Sequence, residues 1–462
     1  MCHHSTQNCY RRKFYIASVL LESLRNYKIV NKDDLTEIYA SKGVWFYPCL
    51  RIFAMYMTKR FSFPQDFLLS RDGEAPLGLD KYQYFTKVTD KNERSGIEGL
   101  DFALLGLFGE TGSLLSELKK KQRDKDAYVS YQDSILEEFG DTLWYFANTA
   151  LHAGIDLSVL AQRAISSLGN WSFQGQADAT TFAVLQKPKQ HLAEPPTSKR
   201  FEQQLISLAG KVGHLLEDFS AGRIATNGDV LSSDLVEIFR VLIAAADDAE
   251  VSLDEAAKHN ITKILDRWPI NRNWPPLFDE EFDEDEQLPR QIAITFREKE
   301  IGGKQYVLQQ CRGINIGDRL TDNRVEQDDY RFHDVFHLAY AVILGWSPVL
   351  RALLKVKRKS NPAIDENQDG ARAILIEEGI STWIFNYGVR HDYLKNFQSI
   401  DYTLLKSVRE FVKGYEVEVR PLWQWEHAIL EGFRIFRELK THRGGMVTAD
   451  LNAHTIQFEA LK

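Results

Sequence analysis

Residues 136–148 read LEEFGDTLWYFAN. Leu136, Phe139, Leu143, Trp144 and Phe146 recur at helical spacing, and Glu138 and Asp141, three residues apart, fall on one face of that helix. Two carboxylates wedged among large apolar side chains are costly to bury unless a positive charge neutralises them. A divalent metal ion is the natural counter-charge.

Working outward, the helical pattern dominates residues 81–168. One helix is expected from Tyr82 to Val88, a second from Leu104 to Lys120, a third from Ile135 to Ala153 and, after Gly154, a fourth from Asp156 to Leu168. On the second, Glu110, Ser113 and Glu117 share one face while Leu107, Leu114, Leu115 and Leu118 supply the apolar contacts. If that helix packs antiparallel to the third, Glu110 approaches Glu138 and Asp141 across the seam. Glu117 lies two turns further, roughly 10 Å along the axis, and ranks below the other three acids.

The pattern then recurs. LISLAGKVGHLLEDF, from Leu205, aligns with LLGLFGETGSLLSEL, from Leu104, and keeps both glycines and the paired leucines at a constant offset. An internal repeat is the simplest reading. In this second copy Lys211 replaces Glu110 and His214 replaces Ser113, whereas Asp234 and Glu237 correspond to Glu138 and Asp141. The copy closes with AAKHNITKILDRWP, residues 256–269, whose first-copy counterpart has Ala164, Ser167 and Trp171 in place of the polar residues.

The runs GLFGETGSLLSELKK, EEFGDTLWYFAN and GIDL, with Tyr82-Gln83 ahead of them, resemble the MazG-like, all-α nucleoside triphosphate pyrophosphohydrolases, which carry ExxE on one helix and ExxD on the next. The resemblance covers about 90 residues, and in it the second Glu of ExxE is here Ser113, a weaker and neutral ligand. It implies hydrolysis of a (deoxy)nucleoside triphosphate to the monophosphate and pyrophosphate. Glu110, Glu138 and Asp141 would hold Mg²⁺ or Mn²⁺, and Glu117 would orient water or a second ion. The segment at 256–269 resembles the family's closing N-x-x-K-x-x-x-R, which puts Asn260 and Lys263 on the phosphates and Arg267 beside them. The two copies are complementary, so a composite site is expected, with metal mainly on copy one and phosphate contacts from copy two. Such bundles tend to bury their open side against a partner, and a homo-oligomer is expected.

At 462 residues the chain exceeds what one hydrophobic core usually supports. A formal net charge of -8 argues against a general nucleic-acid binder. Cys2, Cys9, Cys49 and Cys311 lack the spacing of a disulfide framework and fit a reducing, cytoplasmic setting, although Cys2, His3, His4 and Cys9 could ligate a metal as a tail. The most apolar run, Val44 to Met57, falls short of the ~20 residues that span a membrane, so no membrane partner is expected. Residues 1–75 read as a helical segment with no assigned chemistry.

The composition changes after residue 275. DEEFDEDE, residues 279–286, reads as a solvated linker, and QIAITFREKE and KQYVLQQC read as strands around Gly302-Gly303, with VTADLNAHTIQF adding another near the C-terminus. Between the strands, His333 and His337 stand at i, i+4, a spacing that lets both imidazoles meet one ion; Glu378 on a later helix would complete a second metal site. The basic run Lys355, Lys357, Arg358 and Lys359 reads as a solvated helix end.

The expected architecture is mainly α: MazG-like helical bundles at 76–173 and 201–275 around a linker at 174–200, an acidic linker at 276–289, and an α+β module at 290–462. The competing functional class is a nucleotide-sensing or scaffold protein with degenerate helical modules and a C-terminal effector domain, for instance a metallohydrolase in stress or antiviral defence.

Overall fold

The computed structural model describes residues 75–166, 181–186, 199–224 and 228–461. The N-terminal segment, with the Cys2, His3, His4 and Cys9 tail and the apolar run at 44–57, lies outside these residues, as do Ser167 and Trp171. The described chain is mainly helical, with one small antiparallel sheet near the C-terminus.

Seven helices build the first part: α1 (Leu79–Thr89), α2 (Gly96–Asp124), α3 (Tyr131–His152), α4 (Leu157–Ser166), α5 (Lys199–Ser220), α6 (Asp229–Asp248) and α7 (Leu253–Arg267). Each follows its apolar stripe. α2 begins earlier than its motif because Leu100, Ala103 and Leu104 continue the buried face upstream. α7 starts at a Ser-x-x-Glu signature, where the Ser252 side chain accepts the backbone N–H of Glu255.

The packing is reciprocal. α2 lies on α3 and α5 on α6, while α7 lies on α3 and α4 on α6. A single continuous core results, in which Phe146 of α3 meets Phe239 of α6 with ring centroids 4.7 Å apart. The crossing of α3 and α7 is close because Gly140 faces it: a Cβ there would sit 2.7 Å from the Ala256 carbonyl oxygen. Tyr82 of α1 clasps the same crossing, its buried hydroxyl donating to Asn260 Oδ1 at 3.0 Å.

The C-terminal module has its own core. Its five strands, β1 (Gln291–Ile301), β2 (Lys304–Cys311), β3 (Ile314–Leu320), β4 (Gly444–Asp450) and β5 (Thr455–Glu459), form an antiparallel sheet in the order β3-β2-β1-β4-β5. Gly302 and Gly303, both at positive φ, make the two-residue turn between β1 and β2. Residues 447–458, expected as one strand, form a hairpin. β3 is an unforeseen edge strand, because INIGDRL is mostly exposed and its apolar alternation, Ile314 and Ile316, is broken by Gly317, Asp318 and Arg319.

Between β3 and β4 lie α8 (Asp334–Leu344), α9 (Pro348–Leu354), α10 (Pro362–Asn367), α11 (Ala371–Val389), α12 (Tyr402–Phe411) and α13 (Leu422–His442). α8 is buried on every side and packs along α13. No single helix among the described residues is long and apolar enough to cross a membrane.

Two expectations are corrected here. Asp279 in the acidic run is buried, accepting from the Leu288 N–H and pairing with Arg290 and Arg351, so this end of the run is a core anchor rather than a solvated linker. Arg358 in the basic run is also buried, paired with Asp369 and Glu416 at 2.7 Å each. In both cases charged neighbours far along the chain neutralise the group, and local composition cannot reveal them.

Candidate active site

The facing of α2 and α3 brings Glu110, Glu138 and Asp141 together, with one carboxylate oxygen from each within 4.8 Å of the others. The side chains are partly buried. Desolvation first, and then the charges of Asp141 and Glu110, push the Glu138 carboxyl up to about 7. Glu110 and Asp141 are raised for the same leading reason, with Lys263 opposing the rise. The hydroxyl of Ser113, where the motif would place a second Glu, acts against that rise at Glu110, more weakly than Lys263 does.

α7 supplies the other half. Asn260 Nδ2 donates to Asp141 Oδ1 at 2.9 Å, and Lys263 Nζ reaches Asp141 at 2.5 Å and Glu137 at 2.9 Å. Burial alone would lower the pKa of the Lys263 ammonium; the two carboxylates more than offset that and hold it above its usual value. Glu137, the residue before Glu138, is thus part of the network, and it also pairs with Lys406 of α12.

Around this cluster opens a cleft of about 510 Å³ lined by Phe102, Trp144, Tyr145, Trp268 and Tyr402, with Lys91 and Arg267 at its cationic side. Arg267 donates to the Ile400 carbonyl, while its Nε is buried without a hydrogen-bond partner. Tyr402 of α12 stands 4.9 Å from Lys263 Nζ, ring centroid to nitrogen. The cleft is therefore built from the end of α1 with the segment after it, α2, α3, α7 with the residue after it, and one helix of the C-terminal module.

Glu117 is not brought into the three-acid cluster. It is buried two turns further along α2, accepting from Lys120 at 2.5 Å and from the Tyr128 hydroxyl. In the second half of the helical part, Glu237 pairs with Arg240 at 2.7 Å and lies 3.7 Å from Lys211, so cations stand where a metal would. His333 and His337 form a separate cluster with Asp334 in the C-terminal module, and Glu378 lies 3.7 Å from His333 Nε2 and 3.6 Å from His337 Nε2.

The donors at Glu110, Glu138 and Asp141 are all oxygen, which suits Mg²⁺ or Mn²⁺. With Glu137 they set four carboxylates against the ammonium groups of Lys263 and Lys406. The excess of two negative charges fits one divalent ion.

Sequence reading missed Tyr402, Lys91 and Trp268. Trp144 could have been found, since it stands one turn after Asp141 on the same helix face. Tyr402 carries no signal of its own, because its part depends on how the C-terminal module docks.

Residues 273–462 match the family model described as the MazG C-terminal domain. This match supports a MazG-like affiliation for the chain. The Gene 37 protein of Mycobacterium phage L5 is 38% identical over 74 residues, which cover 16% of this chain and 65% of that protein. The chain thus matches less than two thirds of that relative's length. No solved structure matches the chain.

Proposed function

We propose that the protein is a metal-dependent nucleoside triphosphate pyrophosphohydrolase whose site is shared between two tandem, diverged helical modules. The observation that carries this reading is the convergence of Glu110, Glu138 and Asp141 beside an aromatic cleft that Glu110 and Asp141 line together with Asn260 and Lys263 from α7. The reciprocal packing of α7 on α3 and of α4 on α6 supports the tandem copies, since it relates the two halves as the subunits of a pseudo-dimer.

In this reading the three acids hold Mg²⁺ or Mn²⁺, with Ser113 orienting Glu110 and Asn260 orienting Asp141. The chemistry such an ion supplies is neutralisation of phosphate charge and activation of water. Water attacks the α-phosphorus and the bond to the bridging oxygen breaks, giving nucleoside monophosphate and pyrophosphate. Lys263 and Arg267, with the unpartnered Nε of the latter, stabilise the charge growing on the departing pyrophosphate. Phe102, Trp144, Tyr145, Trp268 and Tyr402 offer flat faces to a base.

A sensing role is favoured by one observation: Lys263 is already held by Asp141 and Glu137. Product analysis separates the two. Purified protein with a panel of nucleoside triphosphates and Mg²⁺ or Mn²⁺ is expected to release monophosphate and pyrophosphate in equal amounts. Binding by calorimetry with neither product over hours would select the sensor instead.

A further inference from the structure

The C-terminal module carries a second cluster whose geometry is that of a site built for an ion. His333, at the entrance to α8, and His337, one turn on, point toward Glu378 of α11. His333 Nδ1 lies 2.9 Å from the Tyr330 carbonyl oxygen, which can only accept, so this nitrogen carries the proton and the Nε2 of a neutral ring presents a lone pair. His337 Nδ1 lies 2.8 Å from Glu377 Oε1. Glu377 is fully buried and its oxygens also accept from the Ser347 hydroxyl and the Val349 N–H, so it is fixed in place and can act only by orienting the ring.

What remains is His337 Nε2. Its side chain is buried, and this nitrogen has no hydrogen-bond partner. An unpaired polar atom in a core is costly, and here it is aimed at other donors rather than at apolar packing. Glu378 Oε2 is 3.6 Å from His337 Nε2 and 3.7 Å from His333 Nε2, and Asp334 Oδ1 is 3.0 Å from His333 Nε2. Ligand atoms bonded at ~2.0–2.2 Å to one ion stand roughly 3.0–3.6 Å apart; the pairs here, at 3.0 to 3.7 Å, lie close to that spacing. The second oxygen of Asp334 is held by the Gln309 side chain from β2. Two ring nitrogens and the carboxylates of Asp334 and Glu378 therefore lie close together, with no lysine or arginine among the described residues paired to these carboxylates.

We propose that His333, His337 and Glu378, with Asp334 as fourth ligand, bind a divalent transition-metal ion of the Zn²⁺ class, and that Glu377 is its positioning residue. Two imidazoles beside carboxylates favour such an ion over Mg²⁺, and a ring nitrogen held by a carboxylate while the other ligates is the usual support of a metal-bound histidine. The site differs from the three-acid cluster in donors, core and supporting helices. Glu378 is 39% exposed while the two histidines are nearly sealed, so the ion would be approached from the Glu378 side, leaving room there for water or a substrate oxygen.

The test uses Co²⁺ as a spectroscopic probe and Zn²⁺ for stoichiometry, on the full chain in excess Mg²⁺. Wild type and Glu138→Gln are expected to take up one equivalent of Zn²⁺ and to show the visible bands of Co²⁺ bound by nitrogen ligands. His337→Gln is expected to lose the bands, and Glu377→Gln to weaken Co²⁺ roughly 10–100-fold. Glu378→Gln changes a half-exposed residue and so keeps the fold if the His337 variant does not; it is expected to weaken binding as well. Absence of the bands in wild type, or bands of wild-type intensity and affinity in Glu378→Gln and Glu377→Gln, would overturn the proposal.

Discussion

Glu138 is the residue through which the proposed site senses pH. Desolvation, Asp141 and Glu110 place its carboxyl at about 7 without an ion, so it is largely protonated below that pH. A cation needs the ionised form, so binding must displace the proton, and affinity falls as pH falls through 7. Calorimetric titration with Mg²⁺ is expected to show about a tenfold loss of affinity per pH unit between pH 7 and pH 5.5, and Glu138→Gln to flatten that slope. At this scale much was legible: a spacing of three put Glu138 and Asp141 on one face, and the seam argument brought Glu110 to them. Glu137 was not. Its neighbours Lys263 and Lys406 come from residues 126 and 269 positions away, and no local pattern separates it from a solvated acid.

At the scale of helices, the constant offset between residues 104 and 205 aligns α2 with α5, and α3 and α6 are the helices that pack on them; periodicity located α2 only in part, its start falling at Gly96 rather than Leu104. What periodicity does not give is which helix crosses which. The α3–α7 crossing depends on Gly140, whose missing side chain lets the α7 backbone approach. Gly140→Ala forces a methyl against a backbone carbonyl that cannot rotate aside, so it is expected to cost about 1–3 kcal/mol in urea unfolding and to raise KM by displacing Asn260 and Lys263. An unchanged KM in a folded variant would detach α7 from the site. In the C-terminal module the glycine turn and its two strands were readable, whereas the edge strand β3 was not, since its alternation of Ile314 and Ile316 stops at Gly317.

The whole molecule places a C-terminal helix against a cleft formed mainly by the helical part. Tyr402 lies 4.9 Å from Lys263 and 5.9 Å from Arg267, as a wall shared by both cations, and Arg409 pairs with Asp266 below it. Nothing in the sequence around Tyr402 announces this, because the contact joins residues more than a hundred positions apart. Tyr402→Ala is expected to raise KM about threefold to tenfold with kcat nearly unchanged, as befits loss of a cation–π contact and of a binding wall. A fall in kcat alone would show that the C-terminal module gates chemistry rather than binding. The proposed activity stands on the three-acid cluster. Its most direct test is the rate of pyrophosphate release from a nucleoside triphosphate with saturating Mg²⁺, wild type beside Glu138→Gln. The variant keeps the shape of the side chain and loses its charge, so the rate is expected to drop on the order of 100-fold or more; equal rates would contradict the assignment.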